Sequence, residues 1–326
     1  MKNTLLIILA GLIFAGPLLT CPAVQAGDYK VKVGGGPTGG TFNIFANAMA
    51  VYLPKHMDDI KVTAVGSGGS VENVAKVSAG KFNFGLCYAV DLALGREGKL
   101  PPHNKACDGT LALGFLYGAP AQLVVRADSD IHSIQDLKGK TVAVGDAGSG
   151  SAASAERFFG HLGIWDEINH PPLGFSAAVK SFLGGEIDAL WLLVGYPNRA
   201  IIQASVQTDV RLIDLGTDAE KSGFFDAYAY APIEIPAGTY GEGMPACPSF
   251  LDHTLLCANK DVPVEIVNEI MKSLWSKGGL KAMADAKKTF RPMSLDTGFT
   301  GISSSLHPGA VKFWEKKGHV VPDHLK

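Results

Sequence analysis

Three short loops in this chain of 326 residues combine glycine with hydroxyl side chains. The first, Gly34-Gly35-Gly36-Pro37-Thr38-Gly39-Gly40-Thr41, joins an alternating stretch at Tyr29–Val33 to a helical pattern at Phe42–Leu53. The second, Gly66-Ser67-Gly68-Gly69-Ser70, lies between Ile60–Val65 and Val71–Ala79. The third runs from Gly145 to Ser151, between Thr141–Val144 and Ala152–Leu162. Each reads as strand, loop, helix start. The first N–H groups of a helix lack an intrahelical partner and carry partial positive charge, so such a place favours an anion. Glycine lets a ligand come close to the backbone. In open α/β sheets, ligands bind at the carboxyl ends of strands, where these loops lie. One such loop is as well explained by a tight turn with a Ser or Thr cap. Three in one chain point to shared, backbone-rich recognition of a small anion, most simply a carboxylate.

Other chemistry fits less well. Gly34, Gly36 and Gly39 satisfy G-x-G-x-x-G, but a dinucleotide site needs an acid at the end of the second strand. Here that strand ends Val65-Gly66-Ser67-Gly68-Gly69, and Asp58 and Asp59 precede it. Gly39-Gly40-Thr41 lacks the Lys of a phosphate-binding loop. There is no H-E-x-x-H, no G-x-S-x-G and no C-x-x-C. The nine His are scattered, and His103, His307, His319 and His324 read as surface or capping residues. Glu186 and Asp188 fit a turn feeding the strand Ile187–Val194. Neither an enzyme nor a cofactor or metal is expected.

The chain opens with Met1-Lys2, an apolar run over Thr4–Ala15 and Ala23-Val24-Gln25-Ala26, the layout of a secretory signal peptide cleaved after Ala26. The expected location is the periplasm. Leu18-Leu19-Thr20-Cys21 makes an imperfect lipoprotein box, so a lipid anchor at Cys21 is the lesser alternative. Without Lys2 the formal charge moves from −2 to −3, too small a balance to indicate nucleic acid or anionic lipid. Residues 27–326 are long enough for two domains. Once Cys21 is removed, Cys87, Cys107, Cys247 and Cys257 allow three disulfide connectivities, neighbour pairing among them, or free thiols.

The elements that must hold the loops alternate. Beyond those named, Phe82–Leu86, Leu111–Tyr117, Gln122–Arg126, Ile187–Val194 and Arg211–Leu215 read as strands. Ser133-Ile134-Gln135-Asp136 opens a short helical turn with a capping box. Ala177–Leu183, Val262–Ser276 and Gly309–Lys317 read as helices. Ala231–Ser249, rich in Pro and Gly, reads as a long connection. The alternation predicts an α/β fold with parallel sheets covered on both faces.

Seven segments, in order, resemble the TAXI family of substrate-binding proteins, the extracytoplasmic receptors of one branch of TRAP (tripartite ATP-independent periplasmic) transporters. They are Gly-Pro-Thr-Gly-Gly-Thr-Phe (36–42), Gly-Ser-Gly-Gly-Ser-Val-Glu-Asn-Val (66–74), Ser-Ile-Gln-Asp-Leu-Lys-Gly-Lys-Thr-Val-Ala-Val-Gly (133–145), Gly-Ser-Gly-Ser (148–151), Gly-Tyr-Pro-Asn (195–198), Ile-Pro-Ala-Gly-Thr-Tyr (235–240) and Leu-His-Pro-Gly-Ala (306–310). The resemblance implies a two-domain, periplasmic-binding-protein-like (type II) fold with a hinge and an interdomain cleft. Domain I would be 27–122 plus 257–326 and domain II 127–253, with crossings near 122–126 and 254–258. The ligand would be a small organic anion or amino acid, and the partners would be TRAP permease subunits driven by an ion gradient. A periplasmic sensor or enzyme on the same scaffold is the alternative.

The expected ligand contacts are Gly40, Thr41, Phe42, Ser67, Ser70, Asn73, Tyr88, Ser149, Gly150, Ser151 and Tyr196. The hydroxyl and amide groups among them either bond the ligand or cap helices, and the aromatic rings wall the pocket. Relatives show a polar Gln-Ser/Asn-Asp-like segment where this chain has Cys87-Tyr88-Ala89-Val90. Without an acid at position 90, the reading leans toward a 2-oxo acid or dicarboxylate over a glutamate-like amino acid, with Asp91 or Glu72 left to hold an ammonium group. Arg126, Arg157 and Arg199 are conceivable carboxylate partners outside the main set, and Arg157 is expected to face solvent.

Overall fold

The computed structural model describes residues 29–326, residue 103 excepted. The expected signal peptide, Cys21 and His103 lie outside the described residues. No helix among the described residues is long and apolar enough to cross a membrane.

Strands β1 (Tyr29–Gly34), β2 (Ile60–Val65) and β3 (Phe84–Tyr88) run parallel, with β1 between the other two. Helix α1 (Thr41–Tyr52) follows β1, α2 (Ser70–Ser78) follows β2 and α3 (Ala89–Arg96) follows β3. Their apolar residues return at helical spacing. Phe42, Phe45, Ala46 and Met49 of α1 are buried, as are Val71, Val74 and Val77 of α2. The chain then enters one long strand, β4 (Thr110–Arg126). In the second half lie β5 (Val142–Ala143), α4 (Gly150–His161), α5 (Phe175–Leu183), β6 (Ala189–Leu193), α6 (Arg199–Gln207) and β7 (Val210–Leu212). Two short helices, over Gly216–Ser222 and Phe224–Ala227, precede strand β8 (Ala231–Ile235), which leads into a second long strand, β9 (Cys247–Asn259), and helices over Val264–Leu274, Lys277–Ala286 and Pro308–Lys316 follow.

The two long strands join the halves. β4 pairs antiparallel with β9 over Thr110–Pro120, then with β6 over Ala121–Val125. β9 pairs with β8 over Cys247–Leu251 and with β3 over Thr254–Ala258. The strand order is β2-β1-β3-β9-β4-β6-β5, with β7 beside β4 and β8 beside β9.

The sheet is therefore mixed, where parallel sheets were expected, because the crossing strands run against their neighbours. The two strands read at 111–117 and 122–126 are one. Pro120, which has no N–H to donate, falls where β4 changes partner. The stretch read as a connection at 231–249 holds β8 and the start of β9. Pro232 is tolerated there because β8 pairs with β9 alone.

The main core runs through both halves, with the Phe158 ring in contact with those of Trp191, Phe224 and Phe250. Trp191, read as core from its strand, is buried and its Nε1 donates to Ser154 Oγ at 3.0 Å. A smaller cluster around Val179, Phe182 and Leu190 packs α5 against β6. The four described cysteines are free, and Cys87 Sγ faces Cys257 Sγ at 2.8 Å across β3 and β9. The pairing of sequence neighbours, Cys87 with Cys107 and Cys247 with Cys257, is not the arrangement in this fold, because β9 brings position 257 beside position 87.

Candidate ligand-binding site

All three glycine loops meet at one cavity of about 50 Å³. Helix α1 begins after Gly40 and α2 after Gly69, neither with a side-chain cap. Helix α4 begins after Ser149, whose Oγ accepts from Ala152 N at 3.0 Å. The N–H groups of Thr41, Phe42, Ser70, Val71, Gly150 and Ser151 have no backbone acceptor outside their helices among the described residues, and at first-turn positions none exists inside. Three positively polarised helix ends thus point into one small space.

Eight of the expected contacts line this cavity: Gly40, Thr41, Phe42, Ser70, Tyr88, Ser149, Gly150 and Ser151. The serines are partly occupied. Ser70 Oγ accepts from Tyr88 N at 2.8 Å, and Ser151 Oγ accepts from Leu193 N at 3.1 Å. Thr41 is different. It is 3 % exposed, and its hydroxyl makes no well-formed hydrogen bond. The Tyr117 and Thr254 hydroxyls face the same spot, equally buried and equally unpartnered. The Thr41 residue lines the cavity, while its hydroxyl is itself buried and set against Tyr117 and Thr254. The Phe42 and Tyr88 rings, 5.0 Å apart, form one side, and Phe175, Leu193 and Val194 extend the apolar lining.

Three expected contacts stand outside the lining. Asn73 Nδ2 donates to the carbonyls of Gly34 (3.2 Å), Gly35 (2.6 Å) and Leu86 (2.8 Å). Its Oδ1 accepts from Ser67 Oγ at 2.8 Å. These two residues tie the first two loops to β3 and set their shape. Tyr196 is half-buried against the smaller core cluster.

The halves of the chain touch across the cavity. Glu72 N donates to Gly148 O at 3.2 Å, and the Tyr88 hydroxyl donates to Leu193 O at 2.6 Å. Burial pushes the Tyr88 phenol well above its usual pKa, so it stays a donor. Such contacts need bare backbone. Gly69 has φ +127 and packs against Ser149, while a Cβ on Gly150 would lie 2.3 Å from the Tyr88 ring and 2.8 Å from Asp91 Oδ2.

Neither acid considered for an ammonium group is open. Asp91 is fully buried, and its Oδ1 accepts from Arg157 Nη2 at 2.6 Å. Arg157 also donates through Nε to Tyr230 Oη at 2.9 Å. Arg157 is thus buried, contrary to the solvent-facing position expected, because α4 packs its polar residue against an acid 66 positions away. Glu72 pairs with Lys76 and accepts from Gly68 N at 2.6 Å.

Asp146, in the third loop, was passed over by the sequence reading. It is the single charged residue among the lining residues. The available signal was an acid inside a Gly-Ser loop at the carboxyl end of a strand. Asp146 also borders a larger outer chamber of about 560 Å³, together with Arg199 and the starts of α5 and α6.

Among solved structures, the fold is similar to that of the periplasmic binding protein BugD, with a TM-score of 0.50 at 15% identity over 79% of this chain and 86% of that one. The aliphatic sulphonate binding protein SsuA from Escherichia coli matches with a TM-score of 0.46 at 16% identity over 88% and 82%. The architecture is the two-domain α/β fold of periplasmic binding proteins. The profile of the NMT1-like family matches residues 33–318, so this chain belongs to the NMT1-like family.

Proposed function

We propose that this protein is an extracytoplasmic solute receptor of the TAXI type. It binds a small organic anion in the cleft and delivers it to an ion-gradient-driven TRAP permease. The observation that carries the reading is the convergence of three helix N-termini on one cavity. That arrangement binds a carboxylate through N–H dipoles and offers no paired nucleophile and base for turnover. The description of BugD as a periplasmic binding protein supports the same role.

In this reading, residues 27–122 with 257–326 form one domain and 127–253 the other. They swing about the crossing strands, where β4 changes partner between Pro120 and Ala121. The closed contacts Glu72–Gly148 and Tyr88–Leu193 would form on ligand binding and create the surface the permease recognises. Gly40, Thr41, Ser70, Ser149, Gly150 and Ser151 would hold the ligand's polar end, with Phe42 and Tyr88 as walls. Ser67 and Asn73 would act by fixing the loops.

The test is a thermal-shift screen of protein unfolded and refolded to strip bound ligand. It covers amino acids, 2-oxo acids, C4-dicarboxylates, short monocarboxylates and NAD. A ligand at a hundred times its Kd adds about 2.7 kcal/mol of stability. A shift with one carboxylate and no product formed is the expected result. A shift with NAD alone, or turnover of the bound compound, would replace the receptor reading.

A further inference from the structure

Two thiols that take no part in the cleft meet in the middle of the sheet. Cys87 is on β3 and Cys257 on β9, and these strands run antiparallel with Cys87 opposite Leu255 and Gly85 opposite Cys257. Side chains two apart on a strand share a face, and so do directly opposed ones. The two cysteines are therefore diagonal neighbours on one face, and Gly85 puts no side chain between them. Their Sγ atoms are 2.8 Å apart, and each residue is 1 % exposed. The other two described cysteines contact backbone instead. Cys107 Sγ is turned to Lys105 O at 3.5 Å, and Cys247 Sγ to Pro248 O at 3.7 Å.

We infer that Cys87 and Cys257 are a disulfide site, oxidised when the chain folds outside the cytoplasm. The inference rests on the extracytoplasmic part of the proposed function, because disulfides persist in oxidising compartments. The co-reactant is a disulfide-bearing thiol oxidant. One cysteine thiolate attacks its S–S bond and releases the first oxidant thiol, leaving a mixed disulfide. The second cysteine attacks the protein sulfur of that bond and releases the second thiol. The chain gives up two electrons and two protons as one S–S bond forms, and the oxidant takes them as two thiols. The bond forms before β9 closes on β3. In the folded chain both sulfurs are buried, and burial pushes the Cys87 thiol well above its usual pKa, so the attacking thiolate is scarce. The bridge is thus set once, during folding, as a staple and not as a reversible switch. It joins positions 170 residues apart and so encloses all of 127–253. It fastens the strand by which the chain returns from that half, and a bridge over so long a loop strongly restricts the unfolded chain. Cys87 also directly precedes Tyr88, a wall of the cavity.

The experiment unfolds the purified protein in denaturant with reductant, removes both and refolds it with oxidised and reduced glutathione. Remaining thiols are alkylated in denaturant, and the digested chain is mapped by mass spectrometry without reduction. One linked pair of peptides should carry Cys87 and Cys257, with Cys107 and Cys247 recovered alkylated. The bridged protein should melt about 5 °C or more above the same protein refolded with reductant. That difference should vanish in the double variant Cys87→Ala with Cys257→Ala. Recovery of Cys87 and Cys257 as alkylated thiols from refolded protein overturns the inference, and so does a link from either to Cys107 or Cys247. Equal melting of the bridged and reduced forms overturns the staple. Each of these results leaves the receptor reading standing, because glutathione supplies the oxidant whatever the compartment and ligand binding is measured separately. The same map of protein taken from cells should show the bridge in exported chains and thiols in chains kept in the cytosol. Thiols in the exported chains would overturn the inference for the living cell.

Discussion

Two polar regions lie back to back in this molecule, separated by little more than Gly150. On one side is the cleft cavity, where backbone N–H groups at three helix starts are left without backbone acceptors. On the other, Asp91, Arg157, Tyr230 and Asp252 are fully charged or strongly polar groups shut away from water. The cavity contains dipoles that wait for a charge from outside. In the cluster Arg157 answers Asp91 and Tyr230, while one oxygen each of Asp91 and Asp252 has no hydrogen-bond partner. Interior charge is tolerated only when paired and hydrogen-bonded, so the cluster belongs to the framework. The cavity stays incomplete until something binds. The difference separates an ion-paired polar site from the proposed binding site.

The cluster gives the largest expected effect. Arg157→Met removes the partner of Asp91 and leaves a buried carboxylate exposed to no water. Breaking one side of such a pair costs about 3–5 kcal/mol, which urea denaturation would register as a large drop in midpoint. The double variant Asp91→Asn with Arg157→Met should recover much of that loss. If the single variant loses less than the double, the pair is not the framework element described here.

A second effect appears as pH dependence. Burial, reinforced by Asp91 nearby, pushes the Asp252 carboxyl up to about 8 from an ordinary 3.8. A carboxyl whose folded pKa is raised gives stability that is fully present below about pH 4. That stability is lost as pH rises toward 8, at up to about 1.4 kcal/mol per unit. Asp252→Asn imitates the protonated acid and can still accept from the backbone N–H groups of Val90 and His253. The variant should therefore gain stability relative to the natural protein steadily from pH 4 to 8. Parallel curves across that range would show that Asp252 does not titrate there.

What could be read beforehand divides along similar lines. The strand–loop–helix starts at Gly40, Gly69 and Ser149 were legible because each is a local pattern of Gly, Ser and periodic apolar residues. The fold class followed from their alternation. The start of α3 was hidden, because Cys87-Tyr88-Ala89-Val90 continues the apolar run of β3 with no capping residue. The burial of Arg157 was hidden for another reason. Its partner lies 66 residues away, and nothing in the helix around it announces an acid. Asp146 was passed over because the loops were read for donors, and its carboxylate is an acceptor. The continuity of β4 through Pro120 depends on which neighbour accepts it, a tertiary fact.

Between the two regions, Gly150→Ala tests the wall itself. The new Cβ would overlap the Tyr88 ring, and overpacking of this kind costs about 1–3 kcal/mol. Tyr88 cannot yield without losing its bond to Leu193 O. Ligand affinity should therefore fall together with stability, seen as a lower melting temperature and a smaller ligand-induced shift. An unchanged melting temperature would mean that the halves separate easily at this point.

The smallest effect is the most discriminating. Thr41→Val keeps the side-chain shape and removes only the hydroxyl. That hydroxyl has no well-formed partner in the protein, so its loss should leave stability level or raise it slightly, since an unsatisfied buried polar group is itself unfavourable. Binding should weaken about tenfold, or about 1.4 kcal/mol, the worth of one hydrogen bond to a charged group. A fall in affinity at constant stability would set Thr41 apart from every residue of the buried cluster, where stability must fall first. The reverse result, lower stability with affinity intact, would assign the hydroxyl to Tyr117 and Thr254 behind it. The open groups of the cavity would then extend no further than its backbone N–H donors.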